Sequence, residues 1–211
     1  MVAIALAAAG CGGPMALDPA FAPRATEVPA TAPRPGYGTA TYGDVSVELV
    51  RFSRDDAADR TMLGGAVKVG HDAGRWHLAL TAKTPGRDAI PVECAGERAK
   101  GNRDPIACAF GPGGSGGTMA LTDRGRHGGT LRLLGEDATL RPASTLLGVG
   151  YGGAYVERAG AIEAAIDTRR LAEPHVWVAR EMAAERRAMV LVALGALHFI
   201  VSRNDCQPDP E

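Results

Sequence analysis

Ile90-Pro91-Val92-Glu93-Cys94 and Ile106-Ala107-Cys108-Ala109-Phe110 are the two stretches on which the reading of this chain turns. In each, large apolar residues alternate with polar or small ones, the two-residue period of a strand with one buried face. Cys94 shares the parity of Ile90 and Val92, and Cys108 that of Ile106 and Phe110. Both sulfurs are therefore expected on the buried side of a hairpin, placed for a cross-strand bridge. Closing the loop between them would stabilise the fold by about 3 kcal/mol in a chain-entropy treatment. The chain has no Cys-x-x-Cys spacing, which removes zinc-ribbon and thioredoxin-like motifs.

The same period recurs on both sides of this pair. Val45, Val47 and Leu49 alternate, and then Val50 and Phe52 switch parity, so a strand with a bulge is expected. Ala66 to Val69 and Trp76 to Ala82 suggest a hairpin across the turn residues Gly70 to Gly74. Further short strands are expected at Thr118 to Leu121, Thr130 to Leu134, Ala138 to Arg141, Ala154 to Glu157 and Val176 to Val178. Over Ala161 to Asp167 the composition favours helix, whereas the spacing of Ile162, Ala164 and Ile166 favours strand, which is preferred.

The long helix candidate is Glu181 to Val201. From Ala188 on it is apolar apart from Gly195 and His198, and this part spans roughly 21 Å at 1.5 Å per residue. That falls short of a bilayer core of about 30 Å. A helix apolar all round is a buried one, and it is expected to pack across the sheet. The fold expected is α+β, mainly β: antiparallel hairpins or a meander forming a sheet or sandwich, packed by one C-terminal helix. It would occupy residues 44–203 as a single domain with the helix at 181–201, followed by a polar tail at 204–211.

The chain opens with MVAIALAAAGC, an apolar run too short to span a bilayer. Its end, Ala8-Ala9-Gly10-Cys11, resembles the lipobox of bacterial lipoproteins. The resemblance implies that residues 1–11 are an export leader and that Cys11 is acylated and becomes the mature N-terminus. Between Gly12 and Gly43 stand Pro14, Pro19, Pro23, Pro29, Pro33 and Pro35, a density that opposes helix and favours extended chain. Residues 12–43 are thus expected to form a disordered tether, on the order of 90 Å at full stretch. An exported location also permits a disulfide between Cys94 and Cys108, and leaves Cys206 over. With 23 basic against 24 acidic residues, the chain lacks the basic excess of a nucleic-acid binder.

Several motifs compete for chemistry. Gly113-Gly114-Ser115-Gly116-Gly117 matches G-x-S-x-G, and His127, Asp137, Asp167 and His175 follow it, but the helix that a nucleophile elbow requires is missing from the pattern. G-x-G-x-x-G occurs at Gly111, Gly113, Gly116 and again at Gly148, Gly150, Gly153, in neither place inside a βαβ unit. None of the histidines, His71, His77, His127, His175 and His198, stands three or four residues from another, so no metal is expected. Arg124, Arg126 and His127 read as a solvated turn, and no cofactor is implied.

The favoured function is that of an exported, lipid-anchored protein of the bacterial cell envelope, facing the periplasm or exterior and acting by binding or structural support. Its partners would be the membrane, through the anchor, and an envelope protein or apolar ligand. The alternatives are a serine hydrolase using Ser115 and a periplasmic carrier of lipid or another apolar ligand.

Overall fold

The structure, a computed structural model, describes residues 15, 17–32, 37–55, 60–62, 67–69, 75–97, 105–122, 128–144, 151–168 and 173–205. The leader with Cys11, the loop residues His71, Arg124, Arg126 and His127, glycines 148 and 150, and Cys206 lie outside the described residues.

In chain order the strands are β1 (Ala25–Val28), β2 (Ala30–Thr31), β3 (Thr39–Tyr42), β4 (Val45–Asp55), β5 (Arg60–Met62), β6 (Val67–Val69), β7 (Arg75–Lys83), β8 (Ile90–Glu97), β9 (Ile106–Phe110), β10 (Gly117–Leu121), β11 (Gly129–Leu133), β12 (Glu136–Ser144), β13 (Tyr151–Arg158), β14 (Ala161–Asp167) and β15 (His175–Ala179), followed by the helix α1 (Ala184–Asp205). All but β5 and β6 belong to one antiparallel sheet of 13 strands, ordered β1-β15-β14-β13-β12-β11-β10-β9-β8-β7-β4-β3-β2. Its two outermost strands are separated in sequence by Pro29 alone. A single segment therefore pairs with β15 through Ala25–Val28 and with β3 through Ala30 and Thr31. The edges of the sheet meet in that segment, and the meander closes into a barrel.

This closure corrects the expected tether. Residues 17–32 and 37–43 are built into the fold, and Pro23 and Pro29, two of the prolines read as breakers, occupy places that need no amide hydrogen. Pro23 lies in the opening positions of a short 3-10 turn at Ala22–Arg24, and Pro29 stands at the junction where pairing passes from β15 to β3. The Pro29 carbonyl accepts from the Gly43 amide at 2.7 Å, so the break itself is tied to the β3–β4 turn.

With β1 and β2 counted as one stave, the barrel has more strands than side chains alone can fill, since about eight already make an interior wide enough to need all its inward residues. Helix α1 supplies the filling. It touches β3 and β4 on one wall and β11 on the other, about half the circumference away in strand order. Every residue from Met189 to Ser202 is buried, and the core joins these to inward-facing residues of the surrounding strands, among them Val47, Leu80, Val92, Phe110, Leu131, Leu140, Val156, Ile166 and Val178. The helix is thus ringed by the sheet, where packing across one face was expected. It also begins at Ala184, three residues later than the charge pattern suggests.

The outer face is the reverse of a membrane barrel, which is apolar outside and polar within. Exposed Glu48, Arg75, Lys83, Glu97, Arg132 and Asp137 project from it. Among the described residues no helix is long and apolar enough to cross a membrane.

Strand pairing departs from expectation in one place. Trp76 to Ala82 does not form a hairpin with Ala66 to Val69: β7 pairs along its nine residues with the long β4 and with β8, and β6 pairs with β5 in a separate two-stranded sheet. A nine-residue strand gains far more ladder hydrogen bonds from an eleven-residue partner than from a three-residue one. The bulge in β4 falls where parity changes, between Leu49 and Arg51, and leaves Val50 exposed.

Candidate functional site

Three groups of residues stand out from a plain sheet and core: the charged rim where α1 enters the barrel, an N-terminal strap on the outer wall, and the glycine loop around Ser115.

At the rim, Arg186 lies in the first turns of α1 and is almost wholly buried. Its Nη2 donates to Glu163 Oε1 at 2.6 Å, its Nε to Glu163 Oε2 at 2.9 Å and its Nη1 to Glu136 Oε2 at 2.9 Å. Arg158 closes the ring, with Nε 3.1 Å from Glu163 and Nη1 3.4 Å from Glu136. Glu163 reaches this position because β14 carries a bulge: the register against β13 shifts so that Val156 faces Ala164 while Glu157 faces Ile162. Bulges re-aim side chains, and here the extra residue is a carboxylate turned toward the helix. Hydrogen bonding to Glu163 holds the Arg186 guanidinium above its ordinary pKa, and burial opposes that shift. Two arginines and two glutamates thus neutralise one another. The arrangement clamps the start of the helix to β12–β14 and presents no unsatisfied acid, base or nucleophile.

Two more ion pairs fasten the same rim. Arg24 Nε donates to Glu181 at 2.8 Å, joining the N-terminal segment to the turn before the helix, and Arg87 in the β7–β8 turn lies 3.2 Å from Glu185.

The strap comprises Met15 and residues 17–24. Met15 and Phe21 are buried on the outer wall against Ala143, Tyr155, Ala165 and Ala179, with Leu17, Ile162 and Trp177 packed alongside. The Met15 amide donates to Asp167 Oδ2 at 3.2 Å. This second, external core is why β14 is buried on both faces.

Ser115 is exposed in the loop between β9 and β10, directly after a 3-10 turn at Pro112–Gly114, and a strand follows it where an elbow needs a helix. Among the described residues, its candidate partners Asp137, Asp167 and His175 are not gathered around it. Gly117 is level with Leu133 and Glu136. Asp167 and His175 pair with each other at the opposite end of β14, six residues beyond Ala161, or about 20 Å at strand rise. Asp167 is occupied by the strap, His175 Nδ1 lies 2.7 Å from Glu27, and Asp137 is exposed beside Arg132 at 3.7 Å. His77 faces outward on β7, exposed. Gly153, the last glycine of the second G-x-G-x-x-G, lies within β13, and the strands around it are antiparallel.

His198, one of two interruptions in the apolar helix, has a partner in the barrel wall. The Tyr42 hydroxyl is hydrogen-bonded to His198 Nδ1 at 2.5 Å, and burial raises the Tyr42 pKa far above the usual phenol range. Gly195, the other interruption, lies one turn earlier, where a Cβ would come within 2.8 Å of Val47 Cγ2 and 3.0 Å of Tyr42 Cε2. Both anomalies therefore serve a single contact: the glycine admits the Tyr42 ring, and the histidine takes its hydroxyl.

Cys94 and Cys108 face each other in register on β8 and β9, buried on the inner side, with sulfurs 2.07 Å apart, at disulfide distance. Among the described residues no group of three or more His, Cys, Asp or Glu side chains could hold a metal ion.

The class of protein defined here is a closed antiparallel barrel built around its own C-terminal helix. No known protein family, curated protein or solved structure matches the chain.

Proposed function

We propose that this chain is an exported bacterial cell-envelope protein, anchored to the membrane by acylation of Cys11, facing the periplasm or exterior, and acting through binding or structural support. The observation that carries this reading is the apolar run ending in Ala8-Ala9-Gly10-Cys11. Cys94 and Cys108, facing each other in register on β8 and β9, suit an oxidising compartment. The occupied interior also favours contact through the outer wall and rims over uptake of an apolar ligand. Labelled palmitate should enter the wild-type protein in a bacterial host and be lost from Cys11→Ala. Label retained by that variant, or wild-type protein recovered only from the cytosol, overturns the reading. Crosslinking in the intact envelope followed by pull-down would then identify the protein partner.

A further inference from the structure

Resting on acylation of Cys11, we propose that the bilayer surface itself is a docking partner of one flank of the barrel, the outer face of β13–β15. The argument is one of chain length. The strap is fastened at Met15 and beyond, by the hydrogen bond from the Met15 amide to Asp167 Oδ2 and by burial of Met15 and Phe21 in the external core. Only Gly12, Gly13 and Pro14 separate Met15 from Cys11. Four residue steps of fully extended chain reach at most about 14 Å, against the roughly 90 Å of a free tether over residues 12–43. Acyl chains on Cys11 place that residue at the lipid interface, so the point where the strap enters the flank is held within about 14 Å of the headgroups. The opposite wall of the barrel faces away.

The chemistry of the flank suits a headgroup layer without selecting its charge. His175 pairs with Glu27 at 2.7 Å and stacks on Trp177 with ring centroids 5.7 Å apart. Arg141 is shared between Glu157 at 3.2 Å and Asp18 at 3.6 Å while lying over the Tyr155 ring. Arg141 is thus matched by carboxylates of the same face, and His175 is engaged by Glu27. Half-buried Trp177 provides an amphipathic ring of the kind that favours membrane interfaces.

The protein's two tryptophans make the test direct, because Trp177 lies on the proposed flank and Trp76 on β7, four staves away in strand order. Full-length lipidated Trp76→Phe and Trp177→Phe, each with one reporter left, are reconstituted in phosphatidylcholine vesicles carrying headgroup spin labels. The Trp177 reporter is expected to be quenched several-fold more strongly than the Trp76 reporter. Inserting a flexible Gly/Ser segment of about 30 residues between Gly12 and Gly13, with a root-mean-square span of about 30 Å, should abolish that difference. Intact mass and vesicle flotation report acylation separately. Acylated, floating protein with equal quenching of the two reporters, or with Trp177 quenching unchanged by the insertion, overturns the docking while leaving the anchor standing. Protein without acyl chains removes both.

Discussion

Replacing Tyr42 by Phe removes one oxygen atom from the centre of this fold, and the structure sets the size of the effect. Tyr42 is fully buried and His198 is 1% exposed, so water cannot take over the 2.5 Å hydrogen bond. Leaving a buried polar group without its partner costs about 1–3 kcal/mol, whereas replacing both partners by apolar groups of similar shape can be nearly neutral. Tyr42→Phe is therefore expected to destabilise by about 2 kcal/mol, a fall in Tm of about 4–8 °C for a domain of this size. His198→Leu, which orphans the phenol, should cost at least as much. The double variant should cost less than the sum of the two, with a coupling of about 1–2 kcal/mol. Chemical denaturation followed by tryptophan fluorescence, with cysteines kept in one oxidation state throughout, measures all four corners of the cycle. Strict additivity would refute the claim that the two groups satisfy each other, and a Tyr42→Phe variant as stable as wild type would refute the claim that His198 depends on the wall.

Other outcomes follow from the same kind of accounting. Arg186→Met leaves the buried Glu163 carboxylate with Arg158 alone and should cost about 3–5 kcal/mol, much of it recovered by adding Glu163→Leu, as unfolding midpoints would reveal. Cys94→Ala with Cys108→Ala opens a cross-link of sequence separation 14 and should lower stability by about 3 kcal/mol, while thiol alkylation with and without reductant counts the bonded pair. Ser202→Ala deletes a buried hydroxyl that has no hydrogen-bond partner among the described residues and should leave stability unchanged or raised by up to about 1 kcal/mol; a clear loss would mean that the hydroxyl is satisfied. The hydrogen bond from Arg24 holds the Glu181 carboxyl below its ordinary value. The contribution of this pair is therefore complete above the unfolded carboxylate pKa and fades as pH falls through the lower folded value. Carboxyl-resolved NMR titration should show the Glu181 midpoint rising in Arg24→Gln.

Within a single strand the sequence was readable, whereas the partner of β6 was misread even though it lies in the neighbouring hairpin. Parity alone predicts the bulge at Val50 and the facing sulfurs of Cys94 and Cys108, because both depend on a two-residue period. The helix was recognisable for a similar reason: a segment apolar all round must be enclosed. What encloses it was hidden, because closure depends on Ala25 meeting Ala179 across the whole chain and on a proline-rich segment acting as a strand. Glu136, Arg158, Glu163 and Arg186 carry no common motif, and their meeting depends on the β14 bulge. That bulge also places Ile162 outside while Ala164 and Ile166 point inward, although the three share one parity in the sequence. The signals that were present were anomalies: a glycine and a histidine in an apolar helix, and a glutamate among the alternating apolar residues of β14.

The occupied lumen limits what this barrel can do. For an apolar ligand to take the place of α1, the helix would have to expose Val190, Leu191, Val192, Leu194, Leu197, Phe199, Ile200 and Val201, eight buried side chains. At about 1.5–3 kcal/mol each, that is about 12–24 kcal/mol, against a total stability of about 5–15 kcal/mol for an ordinary domain. Such a displacement is unfolding, and no ligand-gated opening of the helix fits within it. The clamp of Arg186 and the Tyr42–His198 bond hold the helix at two points on its length, 12 residues or about 18 Å apart. With the lumen so filled, the surfaces the barrel offers a partner are the outer wall, the strap and the rims.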